Sequence, residues 1–297
     1  MHIMKRIIAS MCAAASLCAL ADAEASKSEM LEESDPSIFW GFANYGIYSG
    51  YMLYGSLVNP EPVLEGYAEV NGNLLFDDID FGYLGVGLWS NSDLTGRRAA
   101  SYRRAFNEWD FNVHWGRTFW FDDANTWGIS YRTSFVWYWY PNTGGRPNGG
   151  THTTMDWDHS FELVNPYVVP FFNVEHEYHE SDGTLLEFGL KKGISVSDAF
   201  SLTPSATLVW RNTNYGWCFP HYGLDENGNK INSCFATVRL MLEANWKFTD
   251  NFGLFAKVAY CSIVDDDLRD AADIAQGDDY GKYKDFAWGG VGVTFEF

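Results

Sequence analysis

The chain has 297 residues, 46% hydrophobic and 18% aromatic, and its 39 Asp+Glu against 20 Lys+Arg give a formal net charge of -19. Such a polyanion is unsuited to wrapping nucleic acid, whose affinity rests on cations neutralising phosphates. The 13 Trp, 17 Tyr and 22 Phe supply too much burial for a disordered chain. No run of about 18 apolar residues occurs beyond the N-terminus, which excludes a bundle of membrane helices.

Met1–Ala23 reads as a secretory signal: Lys5 and Arg6, an apolar stretch from Ile7 to Leu20, then small residues. Cleavage is expected after Ala19-Leu20-Ala21 or after Ala21-Asp22-Ala23. Residues 24–37 then form a short periplasmic segment, and the mature chain leaves the cytoplasm. Three cysteines remain. An oxidising compartment permits a Cys218–Cys234 bridge with Cys261 left over, and three buried free thiols are the alternative.

From residue 38 to 297 the apolar pattern has period two. Ala236, Val238, Leu240, Leu242, Ala244, Trp246 and Phe248 alternate with Thr237, Arg239, Met241, Glu243, Asn245 and Lys247, which is the spacing of a strand with two unlike faces. The same alternation predicts about twelve strands, over 38–48, 63–71, 80–90, 106–120, 127–140, 156–164, 167–179, 184–194, 200–211, 234–248, 253–263 and 285–297. Most have the roughly 9–11 residues of a tilted transmembrane strand. No helix of consequence and no second domain are expected.

Long and short connections alternate along the chain. With both termini on one side, the short turns share that side and the long loops face the other, the signature of an outer-membrane barrel. Glu180–Gly183 is a short turn on the long side. Pro170 and Pro204 fall inside predicted strands, where each removes a ladder donor; bulges or a shifted register are expected there.

Alternation alone does not say which face points inward. Around twelve strands enclose more than side chains alone fill in the roughly eight-stranded case. The apolar face carries aromatics near strand ends (Trp109, Trp120, Trp127, Trp139, Trp210, Trp246), as girdles at bilayer interfaces do. The fold class expected is therefore all-β: a transmembrane antiparallel up-and-down barrel spanning 38–297, rather than a soluble barrel or sandwich. Its lumen-lining candidates are Glu65, Glu69, Glu108, Asp110, Asp158, Glu162, Glu175, Glu177, Glu187 and Glu243. Basic residues join them at Arg132, Lys191, Arg211, Arg239 and Lys257.

Several segments resemble the TorF-type family of porins and related barrels: Gly46-Ile47-Tyr48-Ser49-Gly50, Pro62-Val63-Leu64-Glu65-Gly66, Leu84-Gly85-Val86-Gly87-Leu88-Trp89-Ser90-Asn91, Glu108-Trp109-Asp110 and Leu186-Glu187-Phe188-Gly189. The end Val293-Thr294-Phe295-Glu296-Phe297 looks like the C-terminal aromatic signal of bacterial outer-membrane barrels. Ser49 stands where that family commonly has Arg, so no role is carried over to it. The resemblance implies a small porin-like barrel without a defined substrate.

Other chemistry is weaker. Asp158-His159-Ser160 suggests a hydrolase, but adjacent strand residues face opposite sides, so no catalytic residue is assigned. His179 near Glu175 and Glu177, and the acidic loop through Asp265, Asp266, Asp267, Asp270, Asp273, Asp278 and Asp279, are read as hydrated polar groups and not as metal sites. Asp225–Lys230 reads as a hairpin tip at Asn227-Gly228. Arg97, Arg98, Arg103 and Arg104 would meet lipopolysaccharide phosphates, draw anions to the mouth, or lie in a solvated loop. The expected function is an outer-membrane channel for small polar or cationic solutes, because the inward charges are mostly acidic. A closed structural or surface-binding barrel and a barrel-embedded lipid hydrolase are the alternatives. No cofactor is expected. Expected partners are outer-membrane lipid and lipopolysaccharide, small solutes, and the barrel-assembly machinery through the strand ending at Phe297.

Overall fold

Period-two alternation pays off only if each strand finds two neighbours, and the computed structural model closes that requirement into a barrel. It describes residues 39–76, 79–95, 108–140, 153–216, 218–274 and 283–297. The expected signal 1–23, the segment 24–37, the cluster Arg97–Arg104 and Asp278–Asp279 lie outside the described residues.

The strands in chain order are β1 (Phe39–Tyr48), β2 (Tyr51–Leu53), β3 (Ser56–Asn59), β4 (Val63–Phe76), β5 (Ile79–Asp93), β6 (Glu108–Trp120), β7 (Gly128–Trp139) and β8 (Thr153–Val164). They continue as β9 (Val169–Glu177), β10 (Gly183–Lys191), β11 (Ile194–Ser197), β12 (Phe200–Arg211), β13 (Cys234–Lys247), β14 (Phe252–Ile263) and β15 (Asp285–Glu296). One helix, α1, spans Asp266–Ile274. Twelve strands pair with sequence neighbours, all antiparallel. β10 meets β12 (Leu185↔Arg211 to Lys191↔Ser205) and β1 meets β15 (Phe42↔Glu296 to Tyr48↔Gly290), so no edge is left. Closure satisfies the backbone without water, which a bilayer requires. The short pair β2–β3 is separate, and β11 folds back on the start of β12.

The outer surface is apolar. Leu240 and Trp246 are each 54% exposed, while their neighbours Arg239 and Glu243 turn inward. Trp109 and Trp139 stand opposite each other at the long-loop rim, and Trp120, Trp127 and Trp246 lie toward the short-turn rim, where Trp127 meets Tyr167 at 6.1 Å. An apolar belt between aromatic rims is the exterior of a membrane-embedded barrel.

Three expectations change. Neither proline marks a bulge, and the register runs unbroken through both. Pro204 sits opposite the break between β10 and β11, where Lys192 N–H donates to its carbonyl and no second donor is required. Pro170 lies beyond the last β8–β9 pair, Glu162↔Phe171. Second, the acidic segment after β14 contains helix α1. Asp265 caps it by accepting the Leu268 N–H at 3.0 Å, and Asp266 and Asp267 favour its N-terminal dipole. Leu268, Ala271 and Ala272 are buried on one face, so an Asp run that reads as solvated is also a helix start.

Third, the first long loop is not simply external. β2 and β3 form a hairpin turned by Tyr54 (φ 49°) and Gly55 (φ 73°), and it packs inside the barrel mouth. Tyr51 and Val58 of the hairpin, Tyr215, Phe219 and Ile231 of the loop after β12, and Leu268 of α1 pack with the inward residues Val63, Leu185, Val209 and Ile263. They also pack with Ala236, which a register shift opposite Val209 and Trp210 takes off the outward face of Leu240. The barrel interior is thus apolar at the long-loop end and ionisable below it.

Candidate functional site

Below this apolar core lies a cavity of about 300 Å³. Its ceiling is Tyr51–Tyr54 of the hairpin, and its walls are inward positions of the strands, with residues such as Tyr48, Trp89 and Trp288 near the rim. The ceiling is anchored by four contacts. Trp288 Nε1 donates to the Gly50 carbonyl at 2.7 Å, Ser56 Oγ to the Cys218 carbonyl at 2.7 Å, and Thr237 Oγ1 to the Tyr54 carbonyl at 2.6 Å, while Cys261 Sγ meets Met52 Sδ at 3.2 Å.

Most of the predicted charged positions meet partners across the interior. Arg132 Nη1 lies 3.0 Å from Glu69 Oε2, three strands away, and its Nη2 donates to the Tyr67 hydroxyl at 3.0 Å. Glu69 also accepts from Tyr67 and from Asn71 Nδ2 at 2.7 Å, with His114 Nε2 at 3.7 Å. Lys257 and Glu243 are directly opposite on β14 and β13 and pair at 3.0 Å. Arg239 reaches Glu187 at 3.6 Å, and Lys191 bonds Glu162. Such pairs offset the cost of burying ions only when their geometry and supporting hydrogen bonds are good. Glu65 lines the cavity and accepts from Asn91 Nδ2 at 3.4 Å.

Asp110, Asp158 and Glu175 also line the cavity. Four predicted residues do not, the first being Glu69, which is buried with Arg132 and Tyr67 outside the cavity lining. Glu108 is buried outside the cavity lining. Glu177 caps the turn after β9, accepting the N–H groups of His179, Glu180 and Ser181. Arg211 is fully buried beneath the loop after β12, where it donates to the Ile231 carbonyl at 2.8 Å and stacks over Phe219 at 5.6 Å.

His179 is therefore not gathered with Glu175 into a ligand set. Ser160 Oγ donates to Asn173 Oδ1 at 2.7 Å, whereas His159 turns away to the Tyr131 hydroxyl at 2.9 Å, so the Ser160–His159 pair of a hydrolase is not formed. Cys218, Cys234 and Cys261 are free thiols, and the Cys218–Cys234 bridge allowed by the sequence is not made. Burial among apolar residues pushes the Cys218 thiol well up, and its surroundings are those of a packed small hydrophobe. Asp225 to Asn229 forms the expected tight tip, with Gly228 at φ 78° and Leu224 bridging Lys230.

Two groups of site residues escaped the sequence reading. Tyr51–Tyr54 carried a legible signal, the apolar Tyr51-Met52-Leu53 before Tyr54-Gly55 and the apolar pair Leu57-Val58 after it. Asp156 is already the first residue of the expected strand 156–164, on the face of Asp158, but is not among the lumen-lining candidates.

No family model matches the chain, and no curated protein matches it. Among solved structures the chain is similar to the NanC porin, with 11% identity and a TM-score of 0.46 over 86% of this chain and 100% of that one. It is similar to an outer membrane channel from Pseudomonas putida F1, with 10% identity and a TM-score of 0.47 over 90% and 98%. A KdgM porin in complex with disordered oligogalacturonate shows 8% identity and a TM-score of 0.43 over 86% and 99%.

Proposed function

We propose that the protein is a porin-like channel of the bacterial outer membrane, passing small polar or cationic solutes. The observation that carries this reading is the mid-barrel cavity, whose walls bring ionisable side chains together inside an apolar exterior. Among the predicted charged residues that line it, Glu65, Asp110, Asp158, Glu162, Glu175, Glu187 and Glu243 outnumber Arg132, Lys191, Arg239 and Lys257. Electrostatics at a constriction of this composition favour cations over anions. The β2–β3 hairpin lies over the cavity, so it would regulate passage from the long-loop side. Lipid and lipopolysaccharide would surround the belt, and the strand ending at Phe297 would engage the assembly machinery.

Planar-bilayer recording of the purified protein tests the reading. Steady conductance with a cation-selective reversal potential in a salt gradient is expected; anion selectivity would overturn the solute assignment. A second reading, a closed structural or surface-binding barrel, is favoured by the apolar core that fills the long-loop end. It predicts no steady conductance.

A further inference from the structure

We propose that Asp156, Asp158 and Glu175 form a divalent-cation site on the cavity wall, next to the buried carboxylate of Asp110. Asp156, Asp158 and Glu175 come from the paired strands β8 and β9, and Asp110 from β6, with β7 between β6 and β8. Asp158 and Glu175 are directly opposite in the antiparallel register, and Asp156 lies two residues along the same face of β8. One carboxylate oxygen from each of these three falls within 4.8 Å of the others. This clustering is independent of side-chain polarity as read from sequence, because the three residues belong to two strands whose register only the fold sets.

The second observation is Asp110. Its side chain enters the same cavity from β6, it is only 9% exposed, and its Oδ1 accepts no hydrogen bond among the described residues. Asp158, a half-buried residue, likewise has an Oδ1 that accepts no hydrogen bond among the described residues. Buried oxygens are ordinarily satisfied, so an oxygen left over beside three further carboxylates marks a place where a ligand completes the set. Arg132, on the strand between, directs its guanidinium to Glu69 and Tyr67. Glu175 accepts from the Tyr215 hydroxyl. Hard carboxylate oxygens at this spacing, with room in the cavity for waters to complete six to eight ligands, fit Ca²⁺ better than a soft metal, since among the described residues no thiol or imidazole joins the group. The site stands whether or not solute passes, because a closed barrel would hold the ion equally well.

The test uses the full chain in detergent micelles, stripped with chelator and titrated with Ca²⁺ by calorimetry, and with Tb³⁺ by luminescence. Tyr138, directly opposite Asp110, is the expected sensitiser. Binding of one ion is expected, weakened by at least ~10–100-fold in Asp158→Asn/Glu175→Gln. It should remain unchanged in Asp266→Asn/Asp270→Asn on the exposed face of α1. Heat-modified gel mobility reports whether each variant is folded, and Asp110→Asn serves if the double variant is not. Absence of binding to the wild-type protein, or binding that the α1 variant abolishes and the cavity variants leave intact, would overturn the site.

Discussion

Trp288 and Gly50, 238 residues apart, are joined by a 2.7 Å hydrogen bond from the indole N–H to the backbone carbonyl. The bond ties the last barrel strand to the root of the inserted hairpin, and Trp288 also stacks on Tyr48 at 5.0 Å. Trp288→Phe keeps the ring contact and leaves the Gly50 carbonyl without this donor, a loss of about 1–3 kcal/mol. The barrel should still form, since its ladders are untouched. Amide exchange at Tyr51–Asn59 should accelerate while exchange in β13 and β14 stays constant.

Replacing Tyr51–Asn59 by a Gly/Ser linker removes the ceiling of the cavity. If the hairpin restricts passage, single-channel conductance rises in this variant. Unchanged conductance would show that solute does not pass beneath it.

Arg132 and Glu69 pair across the interior with nearly all of their surface buried. Arg132→Met leaves the Glu69 carboxylate uncompensated and should destabilise the barrel by about 3–5 kcal/mol, the usual cost of orphaning one buried partner. Adding Glu69→Gln should recover roughly 1–3 kcal/mol of that loss. Urea titration of folding into lipid vesicles measures both terms, and simple additivity would mean the pair is not coupled.

The outward and inward faces of β13 should respond oppositely to charge. Leu240→Arg places a cation against hydrocarbon and should cost about 2–4 kcal/mol if the position is near the bilayer centre. Met241→Arg, one residue along, faces the cavity and should cost much less in the same vesicle-folding assay.

Asp225 accepts the N–H groups of Asn227 and Asn229 and the Asn229 side-chain amide at the tip of the loop after β12. These bonds favour the ionised carboxyl and hold it below its ordinary range. A depressed carboxylate supports its loop above the unfolded value of about 3.9 and loses that support as pH falls through the folded value. Amide protection at Asn227 and Asn229 should therefore decline on acidification, and Asp225→Asn should remove the pH dependence of that protection.

Strand identity was legible because the bilayer and the lumen impose opposite solvents on alternate residues. Leu240 and Arg239 could not both be satisfied on one face, so β13 could be read from period two alone. The same logic placed Glu187, Lys257 and Asp158 on the inward side. It failed at Asp265, where a carboxylate that reads as solvated serves as a helix cap, and at Tyr51–Asn59, where an apolar loop turned into the barrel.

What the linear chain determined by itself was the alternation, the strand lengths and the side of each strand that meets water, because these are local consequences of backbone geometry. Which inward groups meet was decided only by closure and register. Arg132 finds Glu69, and Asp110 joins Asp158 and Glu175, because the ladders bring strands from distant parts of the chain around one interior. No spacing along the sequence encodes those distances.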